Sequence, residues 1–169
     1  ASILLLAGPH GIGKTRLARH LTKVARDRGA RCLEVACGDA EAPLSGIART
    51  LDDFLDTRGV PADQMPGRLA EVLSREGIGD DRTPAELLRI LRPSTGGDPA
   101  REQDAEAYSN YRIQVVLDVL AQLAARSPLV LVIEDAESGD PLTQALVARV
   151  PLWSRDRGKG LLLVVTWTP

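Results

Sequence analysis

The clearest site for chemistry in this sequence is a glycine-rich segment suited to holding phosphate groups. It fits the pattern G-x-x-x-x-G-K-[ST] and consists of Gly8, Pro9, His10, Gly11, Ile12, Gly13, Lys14 and Thr15. Glycines let backbone N–H groups curl around a phosphate, and the helix that starts here adds partial positive charge beneath it. We expect Lys14 to reach the β- and γ-phosphates and Thr15 to place its hydroxyl on Mg²⁺. Residues 8–16, ending at Arg16, are therefore the predicted binding site for ATP and Mg²⁺, and His10 is given no catalytic role.

A second candidate site is a pair of acids that follows an apolar run. Leu129 to Ile133 leads directly into Glu134 and Asp135. Acids at the carboxyl end of a buried parallel strand face the crevice in which ligands bind. We predict that Glu134 holds Mg²⁺, through a water molecule, and that Asp135 orients or deprotonates the attacking water. The reverse order of roles stays open, because aspartate is the commoner residue on the metal side.

Thr166 is a third candidate, at the end of the apolar run Leu161 to Val165. Its hydroxyl could touch the γ-phosphate or the attacking water, although an ordinary strand-end threonine is an equally good interpretation. Four arginines are further candidates for stabilising the transferred phosphate. Solvated surface charge explains each of them more simply, so no role is assigned to Arg112, Arg149, Arg155 or Arg157.

These sites require a parallel sheet with helices on both faces, and the hydrophobic pattern predicts one. Short apolar runs predict four strands, at Ser2 to Ala7, Arg31 to Ala36, Leu129 to Ile133 and Leu161 to Val165. The first of these has the pattern of a strand buried on both faces. The predicted fold class is α/β, a P-loop NTPase three-layer sandwich with a helical insertion between the second strand and the strand that precedes Glu134.

Helical periodicity fills the intervals between these strands. It predicts helices at 14–28, at 44–55, around 69–73, at 85–91, at 108–126 and at 141–150. Gly29 ends the first helix, and a proline opens the last one. The segment from Pro93 to Pro99 has the composition of a loop and is the best candidate for a mobile segment, with a plain connector as the simpler alternative.

The composition limits the classes of function. The chain has 169 residues, of which 44% are hydrophobic and 26% charged, as expected for one globular domain. A net charge of -2 provides no basic field for nucleic acid or an anionic membrane, so neither is a predicted partner. No apolar run is long enough to span a bilayer, which predicts a cytoplasmic protein. Cys32 and Cys37 are expected to be reduced, structural thiols.

The order of these parts resembles a known family. GPHGIGKT, then YRIQVVLDVLAQLAARSPLVLVIEDAESGDP, then LLLVVTWTP is similar to the ATPase domains of STAND proteins, the signal-transduction ATPases with numerous domains. The likeness is greatest to those of large bacterial LuxR-type regulators and to related AAA-like modules. The family has leucine, histidine, tryptophan, alanine and aspartate where this chain has residues 136–140, so only Asp140 is retained. It also commonly has arginine at the position of Thr168.

The resemblance implies a strand order of 5-1-4-3-2, with the Thr166 strand between the P-loop strand and the Glu134 strand. It implies a switch in which ATP holds a compact or assembled state and hydrolysis or exchange resets it. The implied partners are ATP and ADP, neighbouring domains of the same polypeptide and, in a nucleotide-dependent way, further copies of the chain. We expect residues 1–169 to be one domain of a larger protein, whose fifth strand and lid are absent from this sequence.

Two other functions stay open at this point. A P-loop kinase acting on a small molecule would use Gly8 to Thr15 equally well, although the double acid fits it less well. A nucleotide-binding scaffold without turnover would fit the altered residues after Asp135 and the missing arginine at Thr168. The products distinguish the three: ADP with phosphate, a phosphorylated acceptor, or unchanged ATP.

Overall fold

Four parallel strands form the centre of the computed structural model, which describes residues 2–38, 46–78, 83–92, 105–157 and 160–169. The strands are β1 (Ser2–Ala7), β2 (Arg31–Ala36), β3 (Leu129–Glu134) and β4 (Leu161–Trp167), and their order across the sheet is β1-β4-β3-β2. In the register, Ala7 is level with Trp167, and Ala36 is level with Glu134. The carboxyl ends of the strands therefore share one edge of the sheet. The predicted position of the Thr166 strand is confirmed.

Six helices occur in the described ranges. They are α1 (Lys14–Asp27), α2 (Gly46–Phe54), α3 (Met65–Glu76), α4 (Thr83–Leu91), α5 (Ala105–Arg126) and α6 (Pro141–Arg157), with one turn of 3₁₀ helix at Ala136–Ser138. The predicted helices are all present, but α6 continues through Pro151 to Arg157 instead of ending at Val150. The predicted loop from Pro93 to Pro99 lies outside the described residues, as does Leu44 at the predicted start of α2.

The helices form layers on both faces of the sheet, as predicted. α1 packs on one face, where Ala18 contacts a small cluster that includes Val130, Val132 and Val164. The opposite face carries the main core, in which Leu131 and Leu163 are fully buried against the other helices. There α2 contacts β2, α5 contacts β4, and α4 joins α3 to α2 and α5. The chain between β2 and β3 is thus the predicted helical insertion.

The prediction that β1 is buried on both faces is wrong. Leu5 is 60% exposed and Ile3 is 41% exposed, whereas most of β3 and β4 is buried. Among the described residues, β1 pairs with β4 alone and so forms an edge of the sheet. An apolar run gives the same sequence pattern at the edge of a sheet as at its centre, because burial depends on the neighbours that the fold supplies.

Candidate nucleotide-binding site

The P-loop connects β1 to α1, and its backbone leaves the start of α1 open to an anion. Gly13 precedes the helix with φ 100°, a left-handed conformation that glycine adopts without steric cost. No side chain caps the helix, and its first turn contains no acid. The first backbone N–H groups of a helix lack partners within it and carry partial positive charge. The local sequence therefore presents donors where a phosphate is predicted to bind.

A cavity of about 220 Å³ lies over this loop. Its lining is formed by His10, Gly11, Gly13, Lys14, Thr15 and Asp135. The fold thus brings the P-loop and one acid of the predicted pair to the same space, although they are far apart in sequence. The volume is below the range of about 300–1,000 Å³ typical of pockets for whole small molecules, so the cavity suits the phosphate groups of a nucleotide.

Lys14 is bound to its own loop and to the end of β4. Its Nζ donates to the carbonyl oxygens of Gly8 at 2.7 Å and Pro9 at 3.1 Å. A third hydrogen bond, of 3.0 Å, goes to the hydroxyl oxygen of Thr168. An ammonium group has three N–H donors, so these contacts use all of them. The sequence indicated the role of Lys14 but gave no sign of its contact with Thr168.

Asp135 is held in position by Thr166. The backbone of Asp135 is left-handed, with φ 52°, a conformation that aspartate tolerates better than most residues. Its N–H donates to Thr166 Oγ1 at 2.8 Å, and that hydroxyl donates to Asp135 Oδ1 at 3.5 Å. Thr166 is completely buried and does not line the cavity. A direct contact of its hydroxyl with the γ-phosphate stays a prediction, and the structure adds a contact with Asp135.

Glu134 lies beside α1 and pairs with a residue that the sequence analysis did not identify. Its Oε1 is 3.7 Å from Arg19 Nε, and the Glu134 side chain is 20% exposed. Burial raises the pKa of Glu134, Arg19 lowers it, and Asp135 and Glu34 raise it further. Arg19 follows Thr15 by four residues, which places both on one face of the helix. The four-residue spacing of Thr15 and Arg19 is the sequence feature from which a cation near Glu134 could have been predicted.

The oxygen donors present fit a magnesium ion. The Thr15 hydroxyl and the Asp135 carboxylate border the same cavity, and Glu134 directly precedes Asp135. Within the described ranges, no group of three or more histidine, cysteine, aspartate or glutamate side chains could hold a metal by itself. Mg²⁺ typically binds through one or two carboxylates together with phosphate oxygens and water. A site that is completed by the nucleotide is consistent with this donor set.

Comparison with known proteins identifies the family. Residues 1–164 match the model of the AAA ATPase domain. The chain belongs to this AAA ATPase family. Its structure is also similar to the cytoplasmic domain of the type VII secretion ATPase EccC from Thermomonospora curvata, with a TM-score of 0.37 and 16% identity. That alignment covers 99% of this chain and 16% of the EccC chain. No curated protein matches the sequence significantly.

Within this AAA domain, Asp140 has a structural role. Its Oδ1 accepts hydrogen bonds from the N–H groups of Leu142 at 3.0 Å and Thr143 at 3.2 Å, which caps the start of α6. Its Oδ2 accepts a hydrogen bond of 2.6 Å from the Thr143 hydroxyl. That hydroxyl in turn accepts the N–H of Ile47 at 3.0 Å. Asp140 therefore connects the segment after β3 to the start of α2.

Two of the four arginines considered from the sequence make contacts away from the P-loop of the AAA domain. The Arg112 guanidinium lies 5.9 Å from the centre of the Tyr108 ring, within α5. Arg149 donates to Asn110 Oδ1 at 2.5 Å, which joins α6 to α5. The side chains of Arg155 and Arg157 lie outside the described part of the structure. Neither Arg112 nor Arg149 is therefore assigned to the phosphate cavity.

Both cysteines of the AAA domain are free thiols. Burial and the charges of Asp140, Asp135 and Glu137 raise the pKa of Cys37 to about 11. Burial also raises the pKa of Cys32. Because the thiolate is the reactive form of cysteine, neither residue is suited to act as a nucleophile at neutral pH. Cys37 borders a second, larger cavity of about 480 Å³ at the end of β2, which no residue of the P-loop lines.

The described helices give no indication of a membrane segment in the AAA domain. None of them combines the length and the hydrophobicity that crossing a bilayer requires.

Proposed function

We propose that this AAA domain binds ATP with Mg²⁺ and hydrolyses it slowly, as the regulatory switch of a larger signalling or transcription regulator. The observation that carries the proposal is the meeting of Lys14, Thr15 and Asp135 at one phosphate-sized cavity. The proposed partners of the domain are ATP, ADP, neighbouring domains of the same polypeptide and, when nucleotide is bound, further copies of the chain. Nucleic acid and membrane are not among them.

In this proposal the P-loop binds the phosphates of ATP, Glu134 helps to hold Mg²⁺, and Asp135 orients the attacking water. The backbone N–H groups before and after Gly13 hold the β-phosphate, and Lys14 contacts the β- and γ-phosphates. Thr15 and, through water, Glu134 are the residues that would hold Mg²⁺, which lowers the negative charge on the phosphate oxygens when bound. Asp135 accepts a hydrogen bond from the attacking water and orients it for in-line attack on the γ-phosphate.

Binding of Mg²⁺ near Glu134 requires a change at Arg19. The two side chains form an ion pair, and Arg19 is 70% exposed. A side chain with that exposure moves into solvent at low cost, because exposed ion pairs contribute little free energy. Glu134 is thus available to the metal once its guanidinium partner is displaced. Asp135 lines the cavity directly, which keeps the reverse assignment of the two acids as the alternative.

Slow turnover is proposed because, among the described residues, no arginine from outside α1 is assigned to the γ-phosphate. Thr168 stands where similar ATPase domains commonly have arginine, and a threonine cannot stabilise the charge of the transition state as a guanidinium does. The same observation favours a second candidate function, a nucleotide-binding scaffold without turnover. The two differ in whether phosphate is released after ATP binds.

Titration calorimetry with ATP, with and without Mg²⁺, tests the proposal when it is paired with phosphate release on the same sample. Lys14→Ala should abolish measurable affinity, because the ammonium supplies charge at the phosphates. Lys23→Ala is the matched control, since Lys23 is an exposed lysine farther along α1. Tight binding with slow release supports the switch, and binding without release supports the scaffold. Wild-type affinity in Lys14→Ala would refute the assignment of the P-loop.

The switch itself predicts a nucleotide-dependent change of state. Sedimentation velocity and amide hydrogen exchange should differ between samples saturated with ATP and samples saturated with ADP. Asp135→Asn provides an ATP-bound sample that does not turn over. Identical exchange and sedimentation in the two nucleotide states would leave ATP binding intact and exclude the switch.

A further inference from the structure

The small net charge of the chain conceals an uneven distribution of charge. Residues 14–28 hold six lysine and arginine residues and a single acid, Asp27, so this segment carries a net charge of +5. The whole chain carries -2, so all other residues together carry -7. The basic segment coincides with α1 and its C-terminal cap, Arg28. An excess of positive charge is therefore concentrated on one helix.

Four of these basic residues form a stripe along the exposed side of α1. They follow one another at intervals of three and four residues, and each is exposed: Arg16, Arg19, Lys23 and Arg26. This spacing places them on one side of a helix, and the buried residues Ala18 and Thr22 lie on the side that packs against the sheet. At the rise of an α-helix the stripe is about 15 Å long. We call these four residues the basic face of α1.

Ion pairs within the domain leave the basic face positive. Arg26 pairs with Glu34 at 2.6 Å, and Arg19 lies 3.7 Å from Glu134. Within the described ranges the other two members form no ion pair. Like charges three or four residues apart repel each other and destabilise a helix, whereas opposite charges at this spacing stabilise it. The repulsion along this face is relieved when an anionic partner binds.

The phosphate cavity does not account for the basic face. Lys14 and Thr15 line that cavity, but Lys23 and Arg26 do not, and they lie more than two helical turns farther along α1. Phosphates held at the start of the helix are therefore out of reach of these two side chains. The basic face is a separate surface, and an inference about it does not depend on the proposed function.

The surroundings of the basic face favour a protein partner over a nucleic acid. The face is about 15 Å long, so a longer polyanion would extend over the rest of the domain, whose net charge is -7. Helix α1 contains no phenylalanine, tyrosine or tryptophan on which a base could stack. It does expose an apolar side chain beside the basic face, Leu17, which is 46% exposed. An apolar group next to positive charges suits a short acidic segment of protein.

We propose that the basic face of α1 is a docking surface for an acidic segment of a partner protein. Aspartate or glutamate side chains of that segment contact Lys23 and Arg26, and an apolar side chain contacts Leu17. The guanidinium of Arg26 has five N–H donors, so it binds a second carboxylate while it remains paired with Glu34. Arg16 and Arg19 extend the same surface toward the P-loop.

Fluorescence anisotropy with a labelled peptide tests this inference. The probe is a glutamate-rich helical peptide of about the length of α1, with leucines on one face. It should bind the wild-type protein at about 0.01 M salt and bind at least about fivefold more weakly at about 0.15 M, because the Debye length shortens. Lys23→Glu should weaken binding at least about fivefold at low salt, and Lys23→Arg should retain it.

Arg75→Glu is the charge-matched control. It makes the same change in net charge as Lys23→Glu, at an exposed arginine of α3, and should leave the affinity for the peptide unchanged. Absence of peptide binding at low salt would overturn the inference. Equal losses in Lys23→Glu and Arg75→Glu would also overturn it, because they would show a response to total charge and not to the basic face.

Two further measurements identify other occupants of the face. Tighter binding of duplex DNA than of the peptide, lost in Lys23→Glu, would assign the face to nucleic acid and overturn the inference. Salt-sensitive self-association without peptide, also lost in Lys23→Glu, would assign it to a second copy of the chain. Lys14→Ala should bind the peptide nearly as well as the wild type. Peptide binding in a protein that fails to bind ATP would therefore refute the nucleotide site alone.

Discussion

The buried hydroxyl of Thr166 accepts a hydrogen bond from the backbone N–H of Asp135 at 2.8 Å and lies 3.5 Å from the Asp135 carboxylate. This contact joins β4 to the residue that follows β3, at the edge of the sheet where the phosphate cavity lies. Asp135 has a left-handed backbone, with φ 52°, and lines that cavity. Thr166 thereby controls the position of the acid assigned to the attacking water.

Thr166→Val should therefore impair turnover more than binding. The variant leaves the Asp135 N–H without its acceptor, at a cost of about 1–3 kcal/mol in the free energy of unfolding. We expect phosphate release to fall about ten- to hundredfold, a part of what a positioned base contributes, while ATP affinity changes little. Thr166→Ser keeps the hydroxyl and should retain most of the activity. Full phosphate release in Thr166→Val would contradict this role.

The two acids should respond differently to loss of charge. Asp135→Asn should bind ATP with Mg²⁺ normally and release phosphate at least about a hundredfold more slowly, because the water is no longer oriented. Glu134→Gln should instead weaken the magnesium-dependent part of the ATP affinity about tenfold. Chelation of Mg²⁺ by EDTA should then affect Glu134→Gln less than the wild type. The opposite pattern in the two variants would reverse their roles.

Gly46 should be essential for the junction between α2 and α6. A Cβ atom at this position would lie 1.9 Å from Asp140 Oδ2 and 2.1 Å from Thr143 Oγ1, and the residue has φ 53°. Gly46→Ala should lower the free energy of unfolding by about 2–3 kcal/mol in urea denaturation. The control is Gly67→Ala in α3, where a Cβ meets nothing within 4 Å, and which should stabilise by up to about 1 kcal/mol. Equal stability of the two variants would rule out this contact.

The exposed edge formed by β1 predicts a contrast between two leucines. Leu5 is 60% exposed, whereas Leu163 on the neighbouring strand is fully buried. In the chain of 169 residues, Leu163→Ala should destabilise by about 2–5 kcal/mol, and Leu5→Ala by less than about 1 kcal/mol. Urea denaturation of the two variants measures both changes in the free energy of unfolding. A large loss of stability in Leu5→Ala would mean that β1 is covered.

Much of the fold followed from local patterns. The P-loop was predictable because its glycines, Lys14 and the start of α1 are consecutive, so one segment of sequence determines their geometry. The acids at the end of β3 were predictable for the same reason, since the end of a parallel strand places them at a known edge. The helices of the insertion followed from their apolar periodicity. The strand order came from the resemblance to related ATPases.

The contacts that define the site were decided by the tertiary structure. Lys14 and Thr168 are 154 residues apart, and Asp135 and Thr166 are 31 apart, so no local pattern could pair them. The exposure of β1 likewise depends on which strands lie beside it. The sequence alone determined what each segment becomes and which groups carry charge, because backbone conformation and hydrophobic period are local properties. Only the packed sheet decided which of those groups meet, because hydrogen bonds and burial depend on neighbours from distant parts of the chain.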